Sequence, residues 1–150
     1  MASDGSQLLD GRCLCGAVTV RAAPMPRDRL VACHCDMCRR WTGGVFTSFQ
    51  AEEGYVVTGP VRIFESSDVA ERAFCSECGS SLWYRMHARP GEAREAPSFA
   101  AGLFENAAGA RLQVEFFSDL CPDGYAFAGD HKRMTEADCM AAFAPAEDPA

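Results

Sequence analysis

Lysine is almost missing from this 150-residue chain: Lys132 stands alone, and the other cations are arginines. Acids outnumber bases 21 to 14, for a net charge of -7. That balance argues against unaided binding to nucleic acid or to an anionic membrane, since both reward clustered cations. No apolar run approaches the length needed to span a bilayer. The stretch Met1 to Gly11 is small and polar without an apolar h-region, so no secretory signal is expected and a cytoplasmic location fits. Repeats are missing too, beyond recurrent cysteine pairs, and no long linker suggests a second domain. A single domain is expected over 11–143, between flexible ends at 1–10 and 144–150. Nothing in the composition sets an oligomeric state, so monomer and homodimer stay open.

What the chain has in excess is cysteine, nine in all, of which seven fall in three clusters. These are Cys13-Leu14-Cys15, Cys33-His34-Cys35-Asp36-Met37-Cys38 and Cys75-Ser76-Glu77-Cys78. In a reducing compartment such C-x-C and C-x-x-C spacings favour metal over disulfide, and the odd count agrees. Residues i and i+2 of an extended segment share a face, so Cys13 and Cys15 offer two sulfurs to one side. Cys75 and Cys78 precede Gly79, in the form of a zinc knuckle. Neither pair saturates zinc alone, and together they are predicted to meet as a four-thiolate structural site.

The middle cluster supplies three sulfurs from one short segment. Cys33 and Cys35 share a strand face, and Cys38 returns at the start of a helical turn, where the helix dipole favours a thiolate. His34 lies on the opposite face and is a poor ligand candidate. With no partner pair left, two arrangements stay open on spacing alone. The triad holds zinc with an open fourth position, or it is closed by Cys121, His87, His131 or water. Cys121 and Cys139 read as reduced bystanders.

Short β-branched runs separated by turn residues predict a mainly β domain. Strands are expected at 17–21, 30–33, 45–49, 55–58, 61–64, 72–74, 81–85, 98–103 and 112–117, with Gly59-Pro60 as a turn. A short helix is expected over Asp36 to Trp41, and another after Thr135, whose acids suit a first turn. Trp41, Phe46, Trp83 and Tyr84 are read as core.

The run Gly11-x-Cys13-x-Cys15-Gly16 with Val18, then Cys33-His34-Cys35-x-x-Cys38-Arg39-Arg40 and Gly43, then Arg72-x-Phe74-Cys75-x-x-Cys78-Gly79-Ser80, and finally Ala101-Gly102-Leu103, resembles the glutathione-dependent formaldehyde-activating enzyme (centromere protein V) domain family over residues 11–120. The resemblance implies a β-tent fold of antiparallel sheets around a structural zinc, with short helices. It assigns Cys13, Cys15, Cys75 and Cys78 to that zinc, and Cys33, Cys35 and Cys38 to a second, catalytic one. It implies a carbon–sulfur lyase that joins glutathione and formaldehyde reversibly as S-hydroxymethylglutathione. One departure stands out: Leu112 to Phe117 lacks the family's usual histidine, and Tyr125 stands where an indole is expected.

Chemically, a zinc-bound substrate sulfur would be a thiolate at neutral pH, poised to add to an aldehyde. Arg39 and Arg40 are candidates for the carboxylates of a glutathione-like tripeptide, with surface pairing to Glu52 or Glu53 as the plainer alternative. Asp36 is a candidate proton donor, with a solvated helix-start role equally consistent. The competing reading is a zinc-stabilised binding module without catalysis, its second site vacant or vestigial.

Overall fold

The computed structural model describes residues 7–144. Segments 1–6 and 145–150, which hold most of the two ends expected to be flexible, lie outside the described residues. In chain order the strands begin with β1 (Leu9–Arg12), β2 (Thr19–Ala22) and β3 (Arg29–Cys33), followed by helix α1 (Asp36–Thr42). Then come β4 (Phe46–Gln50), β5 (Val56–Thr58), β6 (Val61–Ser67), β7 (Ala70–Cys75), β8 (Ser81–Met86) and β9 (Ser98–Ala100). β10 (Arg111–Phe116), β11 (Lys132–Met134) and helix α2 (Glu136–Phe143) complete the described chain.

Contacts divide the chain into two compact units. The first combines the chain up to Leu30 with Thr47–Arg111, and the second combines Val31–Phe46 with the chain from Leu112 onward.

In the first unit, β1, β2 and β5 form an antiparallel sheet in that order. Its register sets Gly11 opposite Val20 and Val20 opposite Val57. A second antiparallel run has the order β4-β9-β8-β7-β6. Between them the core collects Val18, Val20, Phe49, Ala73, Leu82 and Phe99, all fully buried. Phe99 stacks edge-on against Trp83 at 5.8 Å, and Phe49 packs on Phe104 at 5.0 Å. Aromatic rings contribute much of the buried apolar area in such a small core. β7 is buried along most of its length, and that includes Glu71 and Arg72.

In the second unit, the strand order is β11-β10-β3. β11 runs parallel to β10, with Val114 opposite Lys132 and Phe116 opposite Met134. Val114, Met134 and Cys139 form a small buried cluster against Phe116 and Phe117. Thr135 caps α2 in a reciprocal capping box with Asp138, satisfying backbone amides the first turn leaves open. Trp41 packs on Phe46 at 5.0 Å.

Several boundaries differ from expectation. β1 starts at Leu9, inside the segment read as flexible, because Asp10 pairs with Arg21 in register and by an ion pair of 3.2 Å. The strand expected over 98–103 stops at Ala100, and a 3₁₀ turn follows at Ala101–Leu103, closed by Phe104 N–H on Ala101 O at 3.1 Å. β10 ends at Phe116 because Phe117 adopts a left-handed backbone, φ 53°.

Candidate metal centres

The structure brings Cys13, Cys15, Cys75 and Cys78 together, their sulfurs all within 4.8 Å of one another. Cys13 and Cys15 sit in the turn after β1, Cys75 ends β7, and Cys78 lies in the turn to β8. The Cys13–Cys15 and Cys15–Cys75 sulfurs are 3.6 Å and 3.9 Å apart. A tetrahedron with Zn–S bonds of ~2.3 Å has edges of ~3.8 Å, so the spacing fits zinc. Gly16 and Gly79 take left-handed backbones and close the two turns, donating N–H to Cys13 O and Cys75 O at 3.1 and 2.8 Å. Val18 N–H donates to Cys13 Sγ at 3.2 Å, and Ser80 Oγ lies 3.2 Å from Cys78 Sγ.

These contacts split the thiols electrostatically. The Ser80 hydroxyl and amide pull Cys78 down to about 5. Cys15 is pushed up to about 12: the Ala17 amide lowers it, but desolvation and the neighbouring sulfurs outweigh that. Cys13 comes out low, since burial raises it but the Val18 amide and the Cys15 and Cys75 thiols outweigh burial. Four thiolates this close repel, so full ionisation calls for a cation among them, and a soft all-sulfur set suits zinc.

The second group is Cys33, Cys35 and Cys38, whose sulfurs are likewise within 4.8 Å of one another. Cys33 ends β3, Cys35 is the N-cap residue of α1, and Cys38 is buried in its first turn. Cys35 Sγ accepts the Cys38 amide at 3.4 Å. The Cys33 thiol is pushed up by hydrogen bonding with Cys35 and Cys38 and by burial. Among the described residues no fourth His, Cys, Asp or Glu joins this group. The three side chains considered for closing it are engaged elsewhere: His131 with Glu115 at 2.6 Å, His87 with Glu65 at 2.8 Å, and Cys121 with the carbonyls of Pro122 and Tyr125. Cys139 is buried and accepts the Phe117 amide at 3.4 Å.

Arg39 and Arg40 leave the triad on α1. With Gly43, Gly44, Pro122 and Tyr125 they line an open cavity of about 310 Å³. Asp36, rather than Glu52 or Glu53, is their acid: its two oxygens accept Arg40 Nε at 3.1 and 2.9 Å, and Arg39 Nη2 lies 3.5 Å away.

Two buried networks had no signature in the sequence. On β7, Glu71 accepts from Trp83, Arg85 and Arg94. In the second unit, Glu115 accepts from His34 Nε2 on one oxygen, at 2.8 Å, and from His131 Nε2 on the other. His34 and Glu115 stand 81 positions apart, and such separations leave no local spacing to read. Burial raises the Glu115 carboxyl, but the two imidazole hydrogen bonds outweigh it and hold the group below the usual carboxylate range.

A family model described as glutathione-dependent formaldehyde-activating enzyme matches residues 8–119. The chain belongs to that family. Among its relatives, a Schizosaccharomyces pombe protein named an uncharacterized lyase is 28% identical over 133 residues, 87% of this chain and 93% of that protein. A Halomonas elongata protein, provisionally named a glutathione-dependent formaldehyde-activating enzyme, is 37% identical over 90 residues, covering 51% of this chain and 55% of its own. A Rhodobacter sphaeroides protein of known crystal structure shares the fold, with a TM-score of 0.50 at 21% identity, over 65% of this chain and 88% of that one. The mainly β architecture of unclosed sheets is the one family membership implies. Cys121, Tyr125 and His131 lie beyond the family match.

Proposed function

We propose that this chain, a lyase-type member of its family, joins a glutathione-like thiol to formaldehyde or a related aldehyde, reversibly, at the Cys33–Cys35–Cys38 triad. The observation that carries the reading is the triad itself: three sulfurs grouped with no fourth side-chain ligand among the described residues. It is supported by the arginine-lined cavity on the same helix. Cys13, Cys15, Cys75 and Cys78 would hold one zinc as a structural staple, and the triad a second. A zinc held by three thiolates supplies a fourth position that keeps a substrate sulfur ionised at neutral pH, or polarises a carbonyl.

The chain's own residues position the reactants. Arg39 and Arg40 place cationic forks where a tripeptide's carboxylates can be gripped in pairs. Arg40 would exchange Asp36 for the substrate, while Arg39 keeps its Nε on His34 O at 2.9 Å. In the addition, an S–C bond forms, the carbonyl π bond breaks, and the thiol's proton ends on the new hydroxyl. That proton reaches the oxygen through water in the open cavity.

The test is exchange spectroscopy with ¹³C-formaldehyde and glutathione, alongside calorimetry with glutathione alone. Wild type is expected to accelerate exchange between free aldehyde and adduct, and Cys35→Ser to lose both the acceleration and the tight glutathione binding. Equal binding and equal exchange by the two proteins would sink the reading.

A further inference from the structure

His34 sits between two triad cysteines, yet its ring meets Glu115 on β10 and does not join their sulfur group. It is fully buried, and Glu115, which meets it, is 4% exposed. Its main chain is tied as well: the N–H donates to Phe116 O at 3.1 Å, and the carbonyl accepts Arg39 Nε at 2.9 Å. The rings of Tyr125 and Phe127 enclose it at 6.2 and 5.9 Å. Because an ionised carboxylate only accepts, the proton of His34 that faces Glu115 is on Nε2.

Glu115 is held in turn. Its second oxygen takes His131 Nε2 at 2.6 Å and lies 3.4 Å from Arg133 Nε. The His131 side chain is 1% exposed. Thus His131, just before β11 and beyond the end of the family match, together with Arg133 on β11, locks a carboxylate on β10, which locks the residue between Cys33 and Cys35. Such a buried chain is a poor route to stability, since apolar side chains of similar volume often do as well. What it supplies is direction. A carboxylate with both oxygens engaged admits one ring orientation, and the ring fixes the backbone that carries the two sulfurs. Partners behind metal ligands commonly matter in this way.

We infer that Glu115, held by His131, is a positioning residue for the cysteine triad: acting through His34, it sets where Cys33 and Cys35 point and how firmly the triad holds its metal. The inference rests on the reading of the triad as a metal site.

Zinc release to a chromogenic chelator tests it, with the full chain as wild type, Glu115→Ala, Glu115→Gln and Thr135→Ala. Wild type should release metal in a fast phase from the triad and a slow one from the four-thiolate site. Glu115→Ala should speed the fast phase on the order of tenfold and leave the slow phase unchanged. Glu115→Gln keeps one carbonyl acceptor for an imidazole N–H and should recover most of the difference. Thr135→Ala, which loosens α2 in the same unit without touching His34, should leave both phases alone. Iodoacetamide labelling of protein relieved only of its fast-releasing metal, read by peptide mass spectrometry, should show faster modification of Cys33 and Cys35 in Glu115→Ala only. An unchanged fast phase with unchanged labelling overturns the inference, as does a Thr135→Ala protein that matches Glu115→Ala. If wild type carries a single metal, the metal reading of the triad fails and labelling alone decides the positioning role. Should Glu115→Ala not fold, His131→Ala replaces it in both measurements.

Discussion

Glu71 shows how much a single buried carboxylate can govern in this chain. It is 4% exposed on β7, and Oε1 accepts Trp83 Nε1 at 3.3 Å together with Arg85 Nε and Nη2 at 3.0 and 2.8 Å. Arg94 closes on Oε2. Burial raises its carboxyl, but the hydrogen bonds from Arg85 and Trp83 and the charges of Arg85 and Arg94 outweigh it, leaving the group below its ordinary value. A group depressed in the folded state contributes stability above its unfolded pKa of about 4.3, and that contribution is lost as pH falls through the folded value. Wild type should therefore lose Tm more steeply than Glu71→Gln as pH falls below about 4.3, where both proteins shed metal alike. At pH 7, Glu71→Ala strands the mostly buried Arg85 and should cost about 3–5 kcal/mol in urea unfolding. Parallel Tm curves for wild type and Glu71→Gln would show that the carboxylate's charge does not carry the network.

The elements were legible where local chemistry decides them and opaque where distant partners do. Gly59-Pro60 reads as a turn from sequence, and it does join β5 to β6. Why only glycine fits there does not read from sequence. Its φ is +115°, and a Cβ would lie 2.1 Å from Ala17 O, a backbone atom with little room to yield. Gly59→Ala is expected to destabilise the first unit by about 2–3 kcal/mol through strain and collision; a chemical denaturation midpoint matching wild type would refute that. The cysteine groups were legible for the opposite reason, since thiol chemistry restricts ligand spacing to a few patterns. β11 was missed: Lys132-Arg133-Met134 is short and mostly charged, and it is a strand only because β10 accepts it in parallel. The Glu71 and Glu115 networks were missed because side-chain hydrogen bonds across strands and loops impose no periodicity on the sequence. The ion pairs of Asp36 were missed, although its i,i+3 and i,i+4 arginines were present to be paired.

Across the molecule, the two sulfur groups differ in what a metal would do to folding. The first ties together positions as distant as Cys15 and Cys75, 60 residues apart. The second spans Cys33 to Cys38 and closes only a short loop. Loop-closure entropy removed from the unfolded chain grows with loop length, so a bond at the first site constrains the unfolded ensemble far more. The first site also joins turns of two separate sheets within its unit. Apparent zinc binding energies of about 10–16 kcal/mol in small zinc domains are as large as the ~5–15 kcal/mol total stability of an ordinary domain. Metal content and thermal unfolding measured together should then separate the sites. Cys78→Ser is expected to lose one zinc and more than about 10 °C of Tm, or to fail to fold, because each kcal/mol is worth about 2–4 °C at this size. Cys35→Ser is expected to lose the other zinc with a shift of only about 3 °C, since a six-residue segment gains little from closure. Stepwise chelation of wild type should follow the same order, with the more labile metal leaving first and Tm falling only with the second. Loss of Tm in step with the first metal would place the fold's staple at the triad and reverse the division of labour between the two groups.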